Sequence, residues 1–151
     1  MINFDGFWDV PYSERSLAIA CTRGRQAVVA CFGELLSEAD VSEQQWRVMR
    51  VLGDFSPIGL SELCEKTCIH KVSMTRIVRI LSKRDYLEIA RDSHDRRTLN
   101  VSITPEGMAF NSRYAAEASR ISREINRRFG MEKSLLLLVL LDDLSKLSIN
   151  D

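Results

Sequence analysis

Between Ile69 and Gly107 the chain passes from helical to strand periodicity and back again, and few folds accommodate that order. From about Val72 to Arg84, the residues Met74, Ile77, Val78 and Leu81 recur at i, i+3, i+4 and i+7, which places them on one helical face. Asp85, where that helix must stop, is expected in the left-handed region that Gly favours and Asp tolerates. Tyr86 to Arg91 then alternates, with Leu87 and Ile89 on one side, and reads as a strand. Leu99, Val101 and Ile103 alternate with Thr98, Asn100 and Ser102 in a second strand. The segment Asp92-Ser93-His94-Asp95-Arg96-Arg97 between them is a polar turn. Thr104-Pro105 opens a fresh helix, with Thr as N-cap and Pro at the first helical position.

The flanking sequence predicts further helices. Residues 1–12 form a loose arm closed by Pro11, and a long helix starts near Ser13. Leu17, Cys21, Gly24, Val28, Cys31 and Leu35 follow a heptad-type spacing along it, either an ordinary core stripe or a contact with a second subunit. Ser42 with Gln45 fits a capping box, and Val41 precedes it as the staple residue. The helix that follows is expected to bury Trp46, Met49, Val51 or a neighbour, and Leu52. It is expected to end in the stretch Gly53 to Gly59, which contains Ser56-Pro57. Leu60 to Lys66 reads as a short helix with Leu60, Leu63 and Cys64 inward. Thr67 to His70 connects it to the helix from Val72, which makes a helix-turn-helix pattern. The helix from Pro105 should run to about Phe129, with Gly130 as breaker. A last helix, Met131 to Leu147, carries the apolar run Leu135–Leu141 and needs burial on more than one side. The fold class is therefore mainly α with a small β-hairpin wing.

Charge is concentrated rather than abundant. The whole chain has no formal net charge, with 21 Lys and Arg against 21 Asp and Glu. Residues 69–98 nevertheless hold 8 basic and 4 acidic groups, and residues 1–68 hold 6 and 10. Local excess sets the field that a phosphate backbone feels. A basic helix followed by a charged hairpin is what a winged-helix DNA reader needs.

Other classes find less support. The N-terminal residues Asp5, Phe7, Trp8 and Asp9 do not make a signal peptide, and the apolar run is too short to span a bilayer. A cytoplasmic protein without membrane association is expected. Cys21, Cys31, Cys64 and Cys68 are then reduced thiols, read as small buried apolar residues; with His70 and His94 badly spaced, no metal site is expected. No nucleophile-base set, Gly-rich phosphate loop or cofactor motif is legible, so neither an enzyme nor a cofactor is expected.

The run Lys71-Val72-Ser73-Met74-Thr75-Arg76-Ile77-Val78, then Leu81 and Lys83-Arg84, resembles the MarR family of bacterial winged-helix regulators. So does the wing signature Asp95-Arg96-Arg97 leading into Val101, Ile103-Thr104 and Gly107. Ile103 stands for the family's Leu and Asp85 for its usual Gly. The resemblance covers residues 13–147: a winged-helix core over about 41–104, and dimerisation helices over about 13–38 and 105–147. Ser42 to Arg50 is similar to a subgroup controlling aromatic-acid catabolism, typified by the homoprotocatechuate operon regulators.

This resemblance implies a homodimeric transcription regulator, a repressor, on palindromic double-stranded DNA. Arg76 is the first candidate for base readout, since Arg bonds both acceptors of a guanine. Lys71 and Ser73 are candidates for base or phosphate, and Thr75 for a phosphate or a packing boundary. Arg79, Lys83 and Arg84 are candidates for phosphate, or else a solvated face. In the wing, Asp95 and Arg97 are implied to form an orienting pair. An Arg then enters the minor groove, and Arg96 and Arg97 both stay open for that role. Dimer contacts are expected at Leu17, Leu135, Leu138, Leu141 and Leu144. A small aromatic or phenolic acid is the implied effector, with Arg23, Trp46, His70 and Tyr114 as candidate ligands. Two alternatives stand beside this reading: a thiol-based redox repressor using Cys21, and a winged helix used for protein–protein contact.

Overall fold

The computed structural model describes residues 6–148. The chain divides into two compact units. One contains Glu34–Ala118; the other contains the residues up to Gly33 together with those from Ser119 onward.

The unit Glu34–Ala118 holds α3 (Gly33–Glu38), α4 (Glu43–Phe55), β1 (Ile58–Gly59), α5 (Leu60–Thr67), α6 (Lys71–Lys83), β2 (Leu87–Arg91), β3 (Leu99–Ile103) and the first half of α7 (Pro105–Phe129). The Ser42 capping box forms with both bonds: Ser42 Oγ accepts from Gln45 N at 3.1 Å, and Gln45 Oε1 accepts from Ser42 N at 3.0 Å. Such a box satisfies two of the donors that a helix start leaves free. Val48, Met49 and Leu52 are fully buried along α4, with Leu63 from α5 and Met74 and Leu81 from α6. Val48, rather than Val51, takes the inner place, and Val51 is half-buried.

α4 ends inside the expected stretch, at Phe55 with Ser56 as its C-cap. Gly53 itself lies within the helix, where packing requires a small residue. A Cβ on Gly53 would lie 2.8 Å from Asn111 Nδ2, and that amide donates to Met49 O at 2.8 Å. The small residue lets α7 approach α4.

Helix ends use one device repeatedly. Asp85 has φ 59°, as its position after α6 requires, and Tyr86 N donates to Leu81 O at 3.1 Å. Cys68 after α5 (φ 53°) and Asp40 after α3 (φ 52°) do the same, with Ile69 N bonding Cys64 O and Val41 N bonding Leu36 O. These are Schellman-type endings built without glycine.

The wing strands β2 and β3 pair antiparallel, with Leu87 opposite Ile103 and Ile89 opposite Val101. A third strand was not expected. Ile58–Gly59 adds to the other edge of β3, Ile58 opposite Val101, so the sheet order is β1-β3-β2. Two residues are too few to show a period. Ser56 Oγ reinforces this edge by accepting from Ile103 N at 2.8 Å.

The other unit holds α1 (Tyr12–Arg15), α2 (Leu17–Ala30), the second half of α7 and α8 (Met131–Ser145). The arm expected over residues 1–12 lies partly outside the described residues; its described part has a 3-10 turn at Phe7–Asp9, and α1 already begins at Tyr12. The single helix expected from Ser13 to residue 38 is three helices. Ser16 interrupts it at φ −76°, ψ 115° and caps α2 by accepting from Ile19 N. Gly130, at φ 106°, separates α7 from α8 as expected.

No residue of α2 or α8 is buried within the single chain. Leu135, Leu138 and Leu141 are 57%, 65% and 40% exposed, Leu17 is 65% exposed, and Leu144 is half-buried. So large a contiguous apolar surface marks an interface. No helix among the described residues is long and apolar enough to cross a membrane.

Candidate DNA interface and aromatic cluster

On α6 the buried side chains are Met74, Ile77, Val78 and Leu81. Lys71, Ser73, Thr75, Arg76, Arg79 and Lys83 are all exposed. His70 caps the helix, its Nδ1 accepting from Val72 N at 3.4 Å. Thr75 Oγ1 donates to Lys71 O at 3.0 Å along its own helix, which commits its proton and leaves the oxygen's acceptor capacity unused.

The arginines separate into two sets by their partners. Arg47 is tied to Glu43 at 3.0 Å and donates to Thr67 O at 2.7 Å. Arg127 and Arg128 both hold Glu124, at 2.8 and 2.6 Å. The hydrogen bond from Arg127, then that from Arg128, draws the Glu124 carboxyl down to about 2. Arg76, Arg79, Lys83, Arg96 and Arg97 have no such acidic partner among the described residues. Cations left unpaired on an exposed face are available to phosphate oxygens and base edges.

Arg84, expected at a phosphate, is otherwise committed. It donates to Asp40 O at 2.6 Å, lies 3.9 Å from the Asp40 carboxylate and stacks 4.9 Å from the Tyr86 ring centre. It clasps the end of α3 to the start of the wing.

In the wing, Asp95 and Arg97 do not form a side-chain pair. Asp95 Oδ1 accepts from the backbone N–H of Arg97 at 3.0 Å, and Oδ2 from the Thr98 hydroxyl at 3.2 Å. Asp95 thus fixes the chain that carries the arginine and leaves the guanidinium free. Asp92, which is not among the expected site residues, organises the tip. Its Oδ1 accepts from His94 N at 2.8 Å and Asp95 N at 2.9 Å, and Oδ2 from Asn100 Nδ2 at 2.9 Å. The N–H of Asp95, then that of His94, then the Asn100 amide hold its carboxyl below the usual carboxylate range. The ionised tip therefore persists through neutral pH and loosens only as pH falls through that lowered value. The available sequence signal is an Asp at the first position of a polar turn, whose carboxylate reaches the N–H groups two and three residues later. Arg91 Nη1 closes the hairpin by donating to Arg96 O at 2.9 Å.

Of the expected effector residues, Trp46 and Tyr114 lie together in one unit. Trp46, buried on α4, faces the Phe110 and Tyr114 rings at 6.2 and 6.4 Å between centres, and Phe110 in turn packs on Tyr86 at 4.8 Å. His70 is engaged as a helix cap. Arg23 lies on α2, in the other unit, beside a shallow open hollow lined only by α2 residues such as Ile19 and Gln26. The cation over Trp46 is Arg50, one turn after it, with its guanidinium carbon 5.8 Å from the Trp46 ring centre, while Arg84 covers Tyr86 at the other end of the cluster. Arg50 is exposed and has no acidic partner among the described residues. The i, i+4 spacing from Trp46 was the available signal.

The cysteines are not buried as expected. Cys21 is exposed on α2, which buries nothing within the single chain, Cys31 is exposed at the C-cap of that helix, and Cys68 is exposed at its left-handed position. Cys64 is half-buried; burial pushes its thiol up, against the opposing charge of Lys71.

Residues 41–99 match the sequence model of the MarR family. The chain is 30% identical to the HTH-type transcriptional regulator FarR of Neisseria gonorrhoeae, over 87% of this chain and 90% of that protein. It is 29% identical to the homoprotocatechuate degradative operon repressor of Escherichia coli, over 85% and 86%. The crystal structure of NadR in complex with 4-hydroxyphenylacetate superposes with a TM-score of 0.78 at 29% identity, over 88% of this chain and 94% of that one. The relatives are transcriptional regulators, and their match extends over both the winged-helix body and the helices around it. This chain belongs to the MarR family of DNA-binding transcriptional regulators.

Proposed function

We propose that the protein is a homodimeric repressor that leaves its palindromic operator when a small aromatic or phenolic carboxylate binds. The observation that carries the effector half of this reading is Arg50. It is a cation without an acidic partner among the described residues, held over Trp46 in a cluster with Phe110 and Tyr114. Such a site offers ring stacking to an aromatic ligand and a charge-assisted bond to its carboxylate. One relative is a homoprotocatechuate degradative operon repressor, and another, NadR, is crystallised with 4-hydroxyphenylacetate, which is the same ligand chemistry.

An effector acts only through unequal affinity for the DNA-competent and DNA-incompetent forms. Titration of the operator complex with 4-hydroxyphenylacetate is therefore expected to release DNA. Arg50→Ala should raise the ligand concentration needed by roughly 10-fold or more, the weight of a hydrogen bond to a charged group, and leave ligand-free DNA binding intact. A variant that responds like the native protein overturns the assignment of Arg50.

For the DNA half, α6 enters the major groove and Arg76 reads a base edge, while Arg79 and Lys83 meet phosphates. Arg76→Ala is expected to weaken operator binding by roughly 10-fold or more and to relax one position per half-site. Lys83→Ala should weaken all sequences alike and lower the salt dependence of binding by about one ion per half-site. Equal losses on operator and random DNA for Arg76→Ala would remove it from base readout.

A further inference from the structure

Val72 is 75% exposed, more than any core-type residue elsewhere on α6. Neither local propensity nor packing accounts for it, since a β-branched residue is a weaker helix former than Ala and this one touches no core. Isolated exposed apolar residues are ordinary; the position of this one is not. At about 100° per residue, Val72, Arg76, Arg79 and Lys83 lie within an arc of about 60°, diametrically opposite the buried Met74, Ile77, Val78 and Leu81. Val72 is the apolar member of a stripe otherwise made of unpaired cations, and it stands one turn before Arg76.

Its geometry is fixed twice over. The His70 side chain caps the Val72 N–H, which pins the backbone. A β-branched side chain in a helix then has essentially one rotamer. The result is a rigid methyl pair at the leading edge of the helix, where side chains of a recognition helix reach base edges. The apolar feature of the major groove is the C5-methyl of thymine.

We infer that Val72 is a specificity-determining residue that reads a thymine methyl next to the base pair read by Arg76. This rests on the reading that α6 enters the major groove. The two side chains would then divide the work: Arg76 distinguishes a guanine by hydrogen bonds, and Val72 distinguishes thymine by excluding water from its methyl group.

The test uses the full-length protein and duplex DNA selected from a random pool, once by the native protein and once by Val72→Ala. The native protein should enrich a thymine in each half-site, which Val72→Ala no longer prefers. Replacing that thymine by deoxyuridine, which lacks only the methyl, should cost the native protein about 4-fold per half-site, the weight of one buried methyl group. It should cost Val72→Ala nothing. Val72→Thr, which keeps one γ-methyl, should restore part of the discrimination. Because the side chain is exposed, the alanine variant keeps its fold, and an unchanged thermal transition checks this. If the native protein enriches a site that Val72→Ala enriches unchanged, or if deoxyuridine is bound as well as thymine, the inference is wrong while the groove reading stands. If the native protein enriches no sequence at all, both fall.

Discussion

Gly107→Ala is expected to destabilise the winged-helix body by about 3 kcal/mol or more, towards the large end of single substitutions. Helix propensity alone argues the opposite sign, because Ala in a helix is better than Gly by about 1 kcal/mol. Sterics decide the matter. A Cβ on Gly107 would lie 2.1 Å from the Tyr86 carbonyl oxygen and 2.7 Å from Ile103 Cγ1. The first of these is backbone and cannot swing aside. It is also fixed from both sides: Tyr86 O accepts from Thr104 N at 3.1 Å, and Thr104 Oγ1 donates to Asp85 O while accepting from Gly107 N at 3.0 Å. This knot joins the end of α6, the start of β2 and the first turn of α7. The measurement is the urea midpoint at fixed protein concentration, since a dimer's stability depends on concentration. A midpoint unchanged or raised would show that the junction yields to a methyl group.

Glutamate at both Leu138 and Leu141 is expected to leave a folded monomer whose operator affinity is lower by about 100-fold or more. Both leucines are exposed in the single chain, and so are their neighbours from Leu135 onward. Burying two carboxylates against an apolar partner costs several kcal/mol each unless they are paired or protonated. A monomer also presents one recognition helix where the operator offers two half-sites, so it loses half the phosphate and base contacts. Sedimentation gives the oligomeric state and a gel-shift titration gives the affinity. A variant that stays dimeric would move the interface away from this face of α8.

Much of the winged-helix unit was legible from local pattern. The helical stripe Met74–Leu81, the two strands β2 and β3, the Ser42–Gln45 box and the Thr104-Pro105 opening each depend on residues close in sequence, and each forms, although on β2 Leu87 is buried and Ile89 is exposed. Asp85 was placed in the left-handed region for the same reason. The equivalent endings at Asp40 and Cys68 carry no Gly or Asn to announce them. The two-residue strand Ile58–Gly59 is shorter than any period. The helix end within Gly53 to Gly59 was legible too, at Phe55 and Ser56, whereas the packing role of Gly53, which admits Asn111 from a helix far along the chain, was not.

The site residues divide along the same line. Sequence order alone determined that a basic helix and a charged hairpin follow one another, that the basic side chains oppose an apolar face, and that the terminal helix is too apolar to stand alone. Those properties follow from periodicity and composition, which are local. Tertiary structure decided which cations are free to bind. Arg84 is spent on Asp40 and Tyr86, Asp95 holds a backbone N–H rather than the Arg97 guanidinium, His70 caps a helix, and Arg50 lies over the Trp46 ring. A side chain's availability depends on which partners the fold brings within hydrogen-bonding reach, and most of those partners are distant in sequence.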